Sequence, residues 1–146
     1  MQIKSFYNEI LTDHNLRPGN KHALPEANYE LRGVNPSCGD DITLRLKVEN
    51  GVIEDGAYTG DGCAVSQASA DIMLDLIIGR PVEEAEALSG LFLKMVREKV
   101  SEEELEQLEE AAALQDIAHM PARVKCAVLG WHTLDTILAD LKALDK

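Results

Sequence analysis

Three cysteines and one aspartate, Cys38, Asp40, Cys63 and Cys126, are the residues of this chain whose types and placement can do chemistry. Each falls at a turn or at the end of an expected element, where side chains can converge on a metal ion. Cys38 and Asp40 form a C-x-D pair in the turn-rich stretch Asn35-Pro36-Ser37-Cys38-Gly39-Asp40, and Cys63 ends a second stretch, Gly60-Asp61-Gly62-Cys63. Glycine lets the backbone fold tightly around an ion. Three thiolates and a carboxylate fill a tetrahedron, which zinc accepts because its full d shell imposes no geometry; soft sulfur equally suits Cu(I) and iron-sulfur clusters. No C-x-x-C pair is present, so spacing alone leaves a second reading open, three buried structural thiols.

Two cations, Arg123 and Lys125, flank Cys126. Zinc bound by three thiolates and one carboxylate carries about two net negative charges, which nearby cations would offset. An ordinary surface pair is the equal alternative for both.

The elements that must position these groups follow from periodicity. Ile3 to His14 places Ile3, Phe6, Tyr7, Ile10 and Leu11 at helical spacing before Pro18-Gly19 ends it, with His14 and His22 expected on the surface. Ala27 to Gly33 reads as a short strand. In Asp41 to Glu49, Ile42, Leu44, Leu46 and Val48 alternate with Thr43, Arg45 and Lys47, a strand with one wet face. Asn50-Gly51 supplies a type I′ turn and Val52 to Thr59 returns as the partner, which predicts an antiparallel meander.

Cys63 opens a helix running to Ile78, with Val65, Ala68, Ile72 and Leu76 in one stripe and Gly79 and Pro81 as the stop. A thiol at a helix N-terminus meets partial positive charge that favours thiolate. Further helices follow from Val82. Ser101-Glu102-Glu103-Glu104 has the capping-box form and starts an acidic helix through Ala113, whose six glutamates between 102 and 110 read as a solvated face. The last helix carries Val124, Val128, Trp131, Leu134, Leu138 and Leu141 as a core stripe, with Pro121 before it and Cys126 in its first turn.

At 146 residues the chain is expected to form one domain, residues 1–146, able to bury about two thirds of its unfolded surface without a metal. Its net charge of −12 repels a phosphate backbone and its cations form no runs, which argues against nucleic acid as a partner. No stretch approaches the roughly 20 apolar residues that span a bilayer, and Met1 to Glu9 lacks a secretory signal, so a cytoplasmic protein off the membrane is expected. An odd count of three cysteines in a reducing compartment favours metal binding or thiol chemistry over disulfides. Phosphate loops are absent, and Ser66 and Ser69 lack the G-x-S-x-G setting of a serine hydrolase.

Asn35-Pro36-Ser37-Cys38-Gly39-Asp40, Gly60-Asp61-Gly62-Cys63-Ala64-Val65-Ser66 and Pro121-Ala122-Arg123-Val124-Lys125-Cys126 resemble the three signature segments of the IscU/NifU-like iron-sulfur assembly proteins, in order and spacing. The likeness covers nearly the whole chain. Within the family it resembles the SufU branch, on two features: a long insertion from about Leu88 to Ala118, and Lys125 where the scaffold branch has a histidine. A cationic lysine has no free lone pair for a metal.

The resemblance implies an α+β fold, a three-stranded antiparallel sheet with an N-terminal helix and several C-terminal helices packed on it. It also implies a zinc-dependent sulfurtransferase that accepts persulfide sulfur from a pyridoxal-phosphate-dependent cysteine desulfurase of the SufS type and passes it to downstream iron-sulfur assembly proteins. Cys38, Asp40, Cys63 and Cys126 would hold Zn2+, and Cys38 would accept the sulfur. Two alternatives share these residues: a scaffold that builds and hands on a [2Fe-2S] cluster, and a structural zinc module that only recruits partners.

Overall fold

The computed structural model describes residues 3–144, with side chains from Glu9 onward. Asn50 and Gly51, at φ 53° and 76°, make the turn whose twist matches a hairpin. It joins β2 (Asp40–Glu49) to β3 (Val52–Asp61), antiparallel with Leu44 opposite Tyr58. Strand β1 (Tyr29–Asn35) pairs antiparallel with the other edge of β2, from Tyr29 opposite Leu46 to Asn35 opposite Asp40. The sheet order is therefore β1-β2-β3, the expected meander. The first strand runs two residues beyond the expected Gly33, because pairing with β2 continues as far as Asp40. What remains between them is the four-residue turn Pro36 to Gly39, which carries Cys38.

Ile42, Leu44, Leu46 and Val48 are all buried on one face, each contributing about 1.5–3 kcal/mol relative to exposure. Helices α2 (Ala64–Ile77) and α5 (Pro121–Leu144) pack on that face, α1 (Ile3–Leu16) and α3 (Val82–Met95) pack against those helices, and the short α4 (Glu102–Gln107) lies outside them. The stripe Trp131, Leu134, Leu138 and Leu141 of α5 is buried, and Trp131 stacks on Phe92 of α3 with ring centroids 4.0 Å apart. Ser69 in α2 donates to the Ala127 carbonyl of α5 at 2.6 Å and accepts from Trp131 Nε1 at 3.0 Å, which fixes the two helices relative to each other. Helix α5 also crosses β1 closely. A Cβ at Gly33 would collide with Thr133 Oγ1 as that side chain now stands, so the bare glycine gives α5 room to approach.

Three local expectations are corrected. The acidic helix does not reach Ala113: α4 stops at Gln107, Glu109 takes a positive φ of 51°, and Glu109–His119 continues as 3-10 turns. The break rotates Leu108, Ala111, Leu114 and Ile117 into the core. Pro121 is the first residue of α5, as its fixed φ and missing N–H allow, so Cys126 sits in the second turn. His14 is buried, not on the surface, because Asp71 of α2 waits for its ring; His22 is exposed as expected. Of the expected apolar face of α1, Leu11 is buried and Ile10 half-buried, while Ile3, Phe6 and Tyr7 lie outside the described side chains.

Candidate metal centre

Three of the four groups are delivered by a turn or an element end, and Cys126 by the second turn of α5. The β1–β2 turn presents Cys38, held in shape by its own N–H donating to the Asn35 carbonyl at 3.2 Å, with Gly39 at φ 71°. Asp40 opens β2 directly after that turn and is fully buried. Cys63 is the N-cap of α2: its backbone is extended and its sulfur accepts from the Ser66 N–H at 3.4 Å, in the place a serine hydroxyl usually takes. Cys126 is buried in α5, one residue before the carbonyl that Ser69 holds.

Cys38 Sγ and Cys126 Sγ are 3.1 Å apart, and one donor atom each from Cys38, Asp40 and Cys126 lies within 4.8 Å of the others. Donors at two corners of a tetrahedron with bonds of about 2.3 Å stand about 3.8 Å apart, so small shifts would bring these three onto one ion. Cys63 is turned to cap its helix and falls outside that trio, yet it is near enough to Cys126 to perturb its thiol. The donor set itself, three thiols and one carboxylate, suits zinc.

The surroundings treat these groups as a unit. Asp40 Oδ1 accepts from the Cys63 N–H at 2.8 Å and the Ser66 hydroxyl at 3.1 Å, and Oδ2 accepts from Asn35 Nδ2 at 3.2 Å. Burial raises the Asp40 pKa, but these bonds and one from Cys126 outweigh it and hold the carboxyl below its ordinary value. Burial, then hydrogen bonding with Cys38, Cys63 and Asp40, pushes the Cys126 thiol far up. A Cβ on Gly62 would stand 2.7 Å from Asp40 Oδ1 and 2.5 Å from Ser66 Oγ, so the bare glycine leaves room for the carboxylate.

Cys38 and Cys63 are half-buried, whereas Asp40 and Cys126 are closed off. Pro36, Ser37 and Gly39 around Cys38 are exposed. Arg123 and Lys125 are exposed and pair with no described carboxylate; Arg123 precedes Cys126 by one helical turn and so shares its side of α5. Sequence reasoning missed Asn35 and Ser66. Each lies three residues from a cysteine, and the C-x-x-S spacing at Cys63 is the cue that a helix cap would have given.

Comparison with known proteins gives a consistent family. The model of the NifU-like N terminal domain matches residues 6–145. The chain is 42% identical over 138 residues to the iron-sulfur cluster assembly scaffold protein IscU of Thermotoga maritima, covering 94% of this chain and 96% of that one. It is 35% identical over 133 residues to the zinc-dependent sulfurtransferase SufU of Bacillus subtilis, covering 91% and 89%. Among solved structures, it resembles a Fervidobacterium islandicum AW-1 protein provisionally assigned as an iron-sulfur cluster assembly scaffold for the SUF system, with a TM-score of 0.83 and 32% identity over 89% of this chain and 94% of that one.

Proposed function

The chain belongs to the NifU-like N-terminal domain family of iron-sulfur cluster assembly proteins, and we propose that within it this protein is a zinc-dependent sulfur-transfer protein. Cys38, Asp40, Cys63 and Cys126 would hold Zn2+, which when bound keeps thiols deprotonated at neutral pH. The observation that carries the reading is the asymmetry of access. Cys38 is a half-buried residue on an open turn, its Sγ 3.1 Å from that of the buried Cys126, and the buried Asp40 stands two residues on. Cys38, on its exposed turn, can meet an incoming protein, while Asp40 and Cys126 are closed off and Cys63, also half-buried, is held as the cap of α2.

The chemistry is thiol-persulfide exchange. The Cys38 thiolate attacks the outer sulfur of a donor cysteine persulfide, the donor's S–S bond breaks, and its thiolate leaves as Cys38 becomes the persulfide. No net oxidation occurs, so a second thiolate can take the sulfur onward in the same way. The fitting donor is a pyridoxal-phosphate-dependent cysteine desulfurase of the SufS type in the cytoplasm, and the acceptors are downstream iron-sulfur assembly proteins. Likeness to a relative named a zinc-dependent sulfurtransferase supports this, as does Lys125, which offers no lone pair beside Cys126.

A second reading, a scaffold for a [2Fe-2S] cluster, is favoured by the 42% identity to a protein named as such, and the same three thiols could ligate iron. Peptide mass spectrometry after one turnover with a cysteine desulfurase and cysteine, with metal content measured alongside, separates them. One added sulfur on Cys38 with zinc retained supports transfer. No added sulfur on any cysteine, with brown colour after anaerobic purification, supports the scaffold.

A further inference from the structure

Asn35 ends β1 directly opposite Asp40, the first residue of β2, and only 7% of it is exposed. Its side-chain nitrogen lies 3.2 Å from Asp40 Oδ2 and 3.8 Å from Cys126 Sγ. An ionised carboxylate accepts only, so the amide must turn its nitrogen to Asp40, and its two hydrogens then serve two acceptors, one oxygen and one sulfur. Those acceptors come from opposite ends of the sequence, one on the sheet and one on α5. Asp40 Oδ1 is already occupied by the Cys63 N–H and the Ser66 hydroxyl, which leaves Oδ2, on the Asn35 side, as the less occupied oxygen.

Resting on the zinc reading above, we propose that Asn35 is a positioning residue of the metal centre: one amide nitrogen spaces the oxygen donor Asp40 from the buried sulfur donor Cys126 and presents Asp40 as a single-oxygen ligand. It touches neither substrate nor metal. Its N–H groups also draw charge away from a donor set that carries more negative charge than one divalent ion cancels. The polar groups bracing a metal ligand commonly change affinity about 10- to 100-fold when removed.

The test uses the full chain stripped of metal and titrated with Co2+, whose visible bands report tetrahedral sulfur ligation, with zinc competition to follow affinity. Asn35→Ala is expected to lower cobalt and zinc affinity about 10- to 100-fold and to move the cobalt bands. Asn35→Asp, equal in size, is expected to lose at least as much, because it sets a second carboxylate against Asp40. In an Asp40→Ala background the Asn35→Ala change should cost a clearly smaller factor, since one of the two acceptors is gone. Unchanged affinity and bands in both Asn35 variants, or equal losses in both backgrounds, would overturn the proposal. If wild-type protein took up neither ion, the zinc reading would fall and this inference with it; uptake by wild type with indifferent variants would sink the inference alone. Circular dichroism checks folding, and the isosteric Asp variant carries the test if Ala does not fold.

Discussion

The Ser69 hydroxyl donates to the Ala127 carbonyl across 2.6 Å, tying the helix that Cys63 caps to the helix that carries Cys126. The same oxygen accepts from Trp131, so one buried serine couples two thiol-bearing elements. Ser69→Ala strands the buried Trp131 Nε1–H and removes the cross-helix bond to the Ala127 carbonyl, which keeps its own helical bond. It is expected to cost about 1–3 kcal/mol of stability in urea unfolding. Zinc affinity should fall with it; unchanged affinity in a destabilised variant would mean that the helices keep their spacing without this bond.

Gly62→Ala tests the crowding beneath Asp40. A methyl there meets Asp40 Oδ1 and Ser66 Oγ well inside contact distance, so the carboxylate must move. Overpacking of this kind costs about 1–3 kcal/mol. The purified variant is expected to carry less than stoichiometric zinc, and full occupancy would show that the carboxylate relaxes freely.

Removal of metal should loosen the fold, because the proposed ligands join the β1–β2 turn, the start of β2 and two helices. Zinc-finger peptides gain about 10–16 kcal/mol apparent from structural zinc, an upper guide for a chain with its own core. Chelation is therefore expected to lower the melting temperature, and re-addition of zinc to restore it. Identical melting curves before and after verified removal would contradict ligation across these elements.

His14 makes stability depend on pH. Burial pushes its pKa down, but bonds to Asp71 at 2.6 Å and Glu110 at 3.1 Å outweigh burial and raise it above 6.5. With the folded value above the unfolded one, the imidazolium's contribution is complete below about pH 6.5 and is lost as pH climbs through the raised value. The difference in unfolding free energy between wild type and His14→Gln should shrink as pH rises above about 6.5. A constant difference would mean that the ring does not titrate there. At the acid end, His14→Ala is expected to cost on the order of 3 kcal/mol by stranding buried Asp71.

The parts of this fold that depend on neighbours in sequence were legible in it. Alternation from Ile42 to Val48 and the Asn50-Gly51 turn sufficed for the meander, and the turn residues around Cys38 and Cys63 marked the chemical groups. What escaped depends on partners distant in the chain. His14 reads as a polar helix-end residue until Asp71, 57 positions later, fills the space beside its ring. The end of α4 was hidden because Leu105, Leu108 and Ala112 suit a continuing helix, while Glu109 takes its positive φ where the chain turns to bury Leu108 and Ala111. Cys63 was legible as a helix opener, but the cap its sulfur forms with the Ser66 N–H, outside the close trio of Cys38, Asp40 and Cys126, is a matter of side-chain rotation that no pattern carries.

The segment after α3 is tied into the rest of the fold by its charged side chains. Three of its glutamates reach into different parts of the molecule, Glu104 to Lys94, Glu109 to Arg80 and Glu110 to His14. Beneath them Leu108, Ala111, Leu114 and Ile117 are buried. A loop added outside a fold can be shortened at small entropic cost. This one is interior along one side, so it is not modular: a chimera that transplanted it without His14, Arg80 and Lys94 would lose its anchors, and a chain from which it was cut would expose the apolar wall it now covers.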